Sequence, residues 1–409
     1  MKTKLSYPKE KLKVLILENV HPAAAAYLKE QGYPVEEVKG ALAEDELVKR
    51  MEDVSILGIR SGTEVSERVL SEAKHLIAVG AFCIGTNQID LHAAARKGIA
   101  VFNAPYSNTR SVVELVIGLI IMLNRGIFDK SRDLHAGLWN KSAEGSHEIR
   151  KKKLGIVGYG NIGSQLSVLA ESLGMDVYFY DTAKKLALGN ARQCDTLEEL
   201  LEIADIVTLH SDGRASNKSM MGPKQFARMK KGSIFLNLSR GGLVDIDALA
   251  EAIRSGRVSG AAVDVFPKEP ARQGEAFASA LQGLPNVILT PHIGGSTEEA
   301  QENIGRFVAE RLTDFMDEGS TALSVNLPNI NLPKLTDAHR FLHIHANVPG
   351  VLAKVNNILA KHSMNIVGQY LGTNDDVGYV ITDVMADYQK EVLDALKSVS
   401  ETIRFRALY

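Results

Sequence analysis

Lys153-Leu-Gly-Ile-Val-Gly-Tyr-Gly-Asn-Ile-Gly163 decides how this 409-residue chain folds. Residues 154–157 are apolar or small and read as a short buried strand. Residues 162–173 read as an amphipathic helix that ends at Gly174. Between them, Gly158, Gly160 and Gly163 stand in G-x-G-x-x-G spacing. The first allows a tight turn, the second lets backbone approach a pyrophosphate, and the third lets the helix pack closely on the strand. The start of such a helix presents unpaired N–H groups and a partial positive charge to phosphates.

A second strand follows, Asp176-Val-Tyr-Phe-Tyr-Asp181, and it closes on an acid. An acid about 20 residues beyond the glycines is where a ribose hydroxyl is held. Strand, glycines, helix, strand and acid in this order mark a dinucleotide site rather than a bare βαβ crossover. Asp181 also selects the cofactor. Its carboxylate accepts from the ribose hydroxyls of NAD and would oppose a 2′-phosphate, a like-charge contact that costs several kcal/mol. NAD is therefore expected over NADP.

Outward from this unit, length implies two or three domains. Apolar residues at 45% and charged residues at 23% are the proportions of a soluble globular protein. The net charge of −2 gives no electrostatic case for nucleic acid or an anionic membrane. The two cysteines, Cys83 and Cys194, are far apart and form no metal spacing, which fits a reducing cytoplasm and no bound metal. The polar start, Met1-Lys-Thr-Lys-Leu-Ser-Tyr-Pro-Lys-Glu10, does not read as a secretory signal. The apolar run 112–123 contains Glu114, is too short to span a bilayer, and reads as a buried or interface helix.

Strand and helix patterns alternate from residue 14 to residue 102, as in a parallel sheet covered on both faces. Strands are expected at 14–17, 55–59, 76–79 and 99–102. Asn103-Ala-Pro105 then breaks the pattern, and a long helix follows with Ser111 and Glu114 at capping-box spacing. The irregular segment 137–148 holds the single Trp139, either a local packing residue or an intersubunit contact. Ser296 and Glu299 repeat the capping-box spacing and open a helix to about residue 315. That helix reads as the chain returning to its first unit. The expected fold is α/β with two doubly wound parallel-sheet domains. A Rossmann domain at 107–295 is inserted in a flavodoxin-like domain at 1–106 and 296–330, with a hinged cleft between them.

Sites in open α/β sheets form at the carboxyl ends of strands. Three such ends in the second domain carry reactive side chains. They are Ser239-Arg240-Gly-Gly242, Phe266-Pro-Lys-Glu269-Pro270 and Thr290-Pro-His292-Ile-Gly-Gly-Ser296. Their types suit oxidation of a hydroxy acid. A guanidinium binds a carboxylate with a planar fork and polarises a forming carbonyl. An imidazole can take a hydroxyl proton, and a nearby carboxylate fixes its tautomer. Asp264 is a further candidate, near the nicotinamide end or as a loop-capping acid.

After a break at 327–334, residues 338–409 give a β-α-β-β-α-β pattern without a catalytic constellation. His345, Asn347 and Asn365 cluster at its first loop and second strand. They fit a small polar ligand, or a turn-forming Asn and a buried His.

These motifs make the chain resemble the D-isomer-specific 2-hydroxyacid dehydrogenases that carry a C-terminal ACT regulatory domain. The resemblance rests on Gly158-Tyr-Gly-Asn-Ile-Gly163, Asn237-Leu-Ser-Arg-Gly-Gly242, Val263-Asp-Val-Phe-Pro-Lys-Glu-Pro270, Thr290-Pro-His-Ile-Gly-Gly-Ser296 and His343-Ile-His-Ala-Asn-Val-Pro-Gly350, and it spans nearly the whole chain. It implies NAD-dependent oxidation of 3-phospho-D-glycerate to 3-phosphohydroxypyruvate, with His292 as proton donor and acceptor, Glu269 as its partner and Arg240 as carboxylate anchor. It implies cofactor contacts by Asn161, Ile162, Asp181, Leu238, Ser239, Arg240, Asp264, His292, Ile293, Gly294 and Gly295. Arg60, Ser61 and Asn108 match substrate-loop positions, and Lys39 and Lys141 would add positive charge for the phosphate. It also implies a homotetramer and inhibition by L-serine at His345, Asn347 and Asn365. Gly62 stands where relatives often carry a second arginine, and Leu335-Thr-Asp-Ala-His339 where they often carry paired glycines. Two other readings fit the same residues: a broader 2-hydroxyglutarate or 2-hydroxyacid dehydrogenase, and a non-catalytic NAD-sensing protein.

Overall fold

In the computed structural model, residues 8–270, 274–332, 338–385 and 390–408 are described. The expected hinge around Leu335 falls on residues 333–337, outside them. The chain divides into two compact units, Met1–Ser107 with Gln301–Tyr409, and Asn108–Ala300.

The first unit begins with five parallel strands: β1 (Lys13–Ile16), β2 (Val35–Glu37), β3 (Val54–Ile59), β4 (Ala78–Ala81) and β5 (Ala100–Asn103). Their order, β2-β1-β3-β4-β5, is the flavodoxin-like order. β3, β4 and β5 are buried along their whole lengths, as helices on both faces of a parallel sheet require. The helix Glu298–Glu318 lays Ile304, Val308, Leu312 and Phe315 into this core beside Val14, Ile16 and Phe102. Its first turn is capped by Thr297, whose Oγ1 accepts from Ala300 N–H at 3.2 Å, so the Ser296–Glu299 capping box is corrected by one residue.

The second unit holds seven parallel strands: β6 (Lys153–Val157), β7 (Asp176–Tyr180), β8 (Arg192–Gln193), β9 (Ile206–Leu209), β10 (Ser233–Asn237), β11 (Val258–Val263) and β12 (Val287–Leu289). The order β12-β11-β10-β9-β6-β7-β8 is the doubly wound dinucleotide-binding order with one strand added. The helix Thr109–Arg125 buries Val112, Val116, Leu119, Ile120 and Leu123 against β6 and β10. Ser111 lies inside that helix and bonds Thr297 at 2.8 Å, so the Ser111–Glu114 capping box is also corrected; Asn108 is the N-cap. No single helix among the described residues is long and apolar enough to cross a membrane.

The C-terminal sheet comprises β13 (His339–Ala346), β14 (Ile366–Thr373), β15 (Val377–Val384) and β16 (Thr402–Leu408), antiparallel in the order β14-β15-β13-β16. Alternation along β13 splits its two faces. Phe341 packs under the helices Val351–Lys361 and Lys390–Lys397. Leu342 and Ile344 join the core of the five-stranded sheet. This second face also receives the end of Glu298–Glu318, whose last carbonyls lack helical partners. Arg406 donates to Met316 O at 2.6 Å and Phe315 O at 3.3 Å. Arg340 donates to Glu318 O at 2.9 Å, and Tyr379 to Gly319 O at 2.7 Å. Arg340 is 1% exposed and grips Asp383 with a fork of 2.7 and 2.8 Å.

Candidate active site

β6, β7 and β9 end level with one another, Val157 opposite both Tyr180 and Leu209. The glycine turn therefore opens at the carboxyl edge of the sheet. Gly158 has φ +95°, and a β-carbon there would meet His210 O at 2.6 Å. Gly163, at the start of the helix Asn161–Ser172, packs on Gly158. Gly160, by contrast, has no neighbour within 4 Å of where its β-carbon would be. One glycine is thus needed for the turn, one for helix packing, and one leaves backbone open to a phosphate. Asn161 is exposed and Ile162 half-buried at that helix start. The Asp181 carboxylate accepts from Tyr159 N–H at 2.9 Å and Ala183 N–H at 3.0 Å. It is fixed at the end of β7 with lone pairs left for a ribose. These features fit a dinucleotide.

The three reactive side chains follow β10, β11 and β12, which are adjacent. His292 Nδ1 lies 2.8 Å from Glu269 Oε2, and Glu269 Oε1 accepts from Phe266 N–H at 3.0 Å. One carboxylate thus ties the imidazole to the loop that bears it. Gly241, next to Arg240, lies against Phe266 of that same loop. Arg240 is half-buried, and its guanidinium donates to Ser239 O at 2.7 Å.

His292 sits in the left-handed region at φ 55°, an uncommon conformation for a residue with a β-carbon. Asp264 explains how it is held. Its own carbonyl accepts from His292 N–H at 2.8 Å. Its carboxylate, 1% exposed, accepts from Thr290 Oγ1–H at 2.6 Å, Ile293 N–H at 2.9 Å and Gly294 N–H at 2.8 Å. Asp264 therefore builds the histidine loop, which is the loop-capping reading of this acid. Gly295 packs against Asn108, whose buried Oδ1 has no partner among the described residues.

Leu238 and Ser239 are buried at the end of β10. Both Ser239 N–H and Oγ–H bond Asn237 Oδ1, at 3.2 and 3.0 Å, while Asn237 Nδ2 donates to Arg240 O at 3.1 Å. Asn237 is fully buried. It shapes the arginine loop, and its sequence signal is a polar side chain closing an otherwise apolar buried strand.

In the first unit, Arg60 and Ser61 follow β3, and the exposed Lys39 follows β2. In the second, Lys141 is exposed in the stretch after the helix Ile127–His135. In the C-terminal sheet, His345 is buried. Its Nδ1 bonds Ala346 O at 2.7 Å, and its Nε2 has no partner among the described residues. Asn347 and Asn365 are exposed, and Asn347 donates to Asn374 O at 2.8 Å. Burial pushes the neighbouring His343 down to about 4. Among the described residues no group of three or more His, Cys, Asp or Glu could hold a metal ion.

Residues 117–294 match the family described as D-isomer specific 2-hydroxyacid dehydrogenase, NAD binding domain, and residues 341–404 match the AHAS small subunit-like ACT domain. The chain is 52% identical over 410 residues to D-3-phosphoglycerate dehydrogenase of Haemophilus influenzae, covering 100% of both chains. It is 51% identical over 409 residues to that of Escherichia coli K12, covering 99% of this chain and 100% of the relative. Among solved structures, the NAD-complexed D-isomer specific 2-hydroxyacid dehydrogenase of Lactobacillus delbrueckii ssp. bulgaricus aligns with a TM-score of 0.67 at 26% identity. That alignment covers 77% of this chain and 100% of that one. The fold and the site define an NAD-dependent 2-hydroxyacid dehydrogenase. Within that class, the chain belongs to the D-3-phosphoglycerate dehydrogenase family.

Proposed function

We propose that this chain catalyses the reversible NAD-dependent oxidation of 3-phospho-D-glycerate to 3-phosphohydroxypyruvate, the first step of L-serine synthesis. The observation that carries the chemistry is the His292–Glu269 pair at 2.8 Å beside the Arg240 loop. When bound, the nicotinamide supplies the acceptor for the hydride on the substrate's C2. Arg240 holds the carboxylate with its planar fork and polarises the C2 oxygen. With Nδ1 turned to Glu269, His292 receives the hydroxyl proton on Nε2 and returns it in the reverse direction. Gly160, Asn161 and Ile162 would hold the pyrophosphate, on the turn and helix packing that Gly158 and Gly163 permit, and Asp181 the adenosine ribose.

The test is steady-state NADH oxidation by the purified protein with phosphohydroxypyruvate and, separately, 2-oxoglutarate. Phosphohydroxypyruvate is expected to give the higher kcat/KM by at least about tenfold, the least that an extra bound phosphate contributes as a charge-assisted contact. The reverse preference identifies a 2-hydroxyglutarate dehydrogenase, and no turnover with either identifies an NAD-sensing protein. Asp181→Ala should lower the ratio of kcat/KM for NAD over NADP by about tenfold or more; an unchanged ratio removes Asp181 from cofactor choice.

L-serine is the effector we propose for the C-terminal domain, at His345, Asn347 and Asn365. The Nε2 of buried His345, without a partner among the described residues, supports this reading, since a buried polar atom is expected to find a hydrogen bond. We also propose a homotetramer. Ile127, Phe128, Leu134, Leu138 and Trp139 are exposed within a short stretch, Trp139 at 79%, and apolar patches of this kind mark association surfaces. Trp139→Ala should lower the molar mass measured by light scattering on a sizing column; an unchanged mass takes Trp139 out of the assembly. 3-Phosphoglycerate and NAD are charged metabolites held inside the cell, so the cytoplasm is the proposed location.

A further inference from the structure

Glu18 lies just past β1 in the left-handed region, at φ 65°, followed by Asn19 at φ 50°. A non-glycine residue held there is uncommon and points to a surrounding structure that fixes it. Three loops do so. Glu18 N–H donates to Gly40 O at 3.0 Å, in the loop after β2. Its carboxylate reaches the loop after β3, where Oε2 accepts from Gly62 N–H at 2.7 Å and Oε1 from Thr63 N–H at 2.8 Å. A β-carbon on Gly62 would stand 3.0 Å from Glu18 Oε2 and 3.3 Å from Ala41 Cβ, so the two loops are in close contact. From the other side, Gln88 Nε2 donates to Arg60 O at 2.6 Å. The segment Arg60-Ser61-Gly62-Thr63 is thereby held at both ends, with Lys39 beside the Gly40 anchor.

We infer that Glu18 is a positioning residue for the substrate, clamping the loop that presents Arg60 and Ser61 to a phosphorylated 2-hydroxy acid. Each of its oxygens is spent on one backbone N–H, so its negative charge is met by the loop it holds. A carboxylate accepting two charge-assisted bonds fixes a loop more firmly than a neutral side chain would. Gly62 takes part through its N–H and its small size: the space a side chain would need is taken up by Glu18 and Ala41. This inference rests on the proposed substrate role of Arg60 and Ser61.

The test compares Glu18→Gly, Glu18→Gln and Arg60→Ala with the unaltered protein, measuring KM and kcat for phosphohydroxypyruvate and the Kd of NADH by fluorescence. Glycine accepts φ 65° without strain and removes the carboxylate. Glu18→Gly is expected to raise KM by roughly 5- to 50-fold, as misplacement of binding groups does, with the Kd of NADH within about twofold. Glu18→Gln keeps one acceptor and should lie between. If Arg60→Ala raises KM and Glu18→Gly does not, the clamp is wrong and the substrate loop stands. If neither raises it, the substrate-loop assignment falls and takes the clamp with it. A parallel loss of NADH affinity in Glu18→Gly would mean general damage to the fold and would overturn the inference. Should that variant not fold, an unchanged KM in Glu18→Gln overturns the inference and a raised one supports it.

Discussion

Replacing His292 with alanine should lower kcat for phosphohydroxypyruvate reduction by about 10²–10⁴, the usual worth of a positioned general acid or base. The Kd of NADH should change far less than kcat, because His292 is one cofactor contact among many and the glycine turn and Asp181 that would grip the dinucleotide lie elsewhere on the sheet edge. Glu269→Gln should cost less, since an amide can still accept from Nδ1–H at the 2.8 Å now observed. The two residues act as one unit, so the double variant should be about as slow as His292→Ala alone. Losses that multiply would show two independent roles, and normal turnover of His292→Ala would remove the imidazole from the chemistry.

Arg340→Met should strongly destabilise the first unit. Arg340 neutralises Asp383, itself 8% exposed, and closes the end of Glu298–Glu318 through Glu318 O. Removing one member of a buried ion pair leaves the other charge uncompensated and costs about 3–5 kcal/mol. In a unit of this size that is a fall in Tm of roughly 6–20 °C, measurable by calorimetry. Adding Asp383→Leu should recover most of the loss, because the stranded carboxylate goes with it. A single variant that melts within a degree or two of the unaltered protein would show that this pair contributes little.

Much of this architecture was legible because it rests on local rules. Buried parallel strands read as short apolar runs, and glycines mark where the chain turns. What escaped was set by tertiary contact. β2 and β8 are edge strands of three and two residues, too short to show a pattern. β4 lies at Ala78–Ala81 rather than 76–79 because residues 76–82 are all apolar or glycine, so nothing local fixes where the strand begins. Serines 111 and 296 sit at capping spacing, but Asn108 and Thr297 take the helix starts.

The site divides in the same way. Arg240, Glu269 and His292 could be named from strand ends. A loop-capping role for Asp264 could be named too, but that Glu269 meets His292 across 23 residues of sequence, and that the loop Asp264 caps is the histidine's, follows from how β11 and β12 pack. Glu18 gave no signal at all: an acid after a strand is common, and its partners Gly62 and Thr63 offer only backbone.

The most direct measurement is a crystal structure of the protein with NADH and phosphohydroxypyruvate bound. His292 Nε2 should lie about 2.6–3.2 Å from the C2 oxygen, with the Arg240 guanidinium on the carboxylate. An imidazole turned away from that oxygen, with another side chain in proton-transfer range, would contradict the assignment.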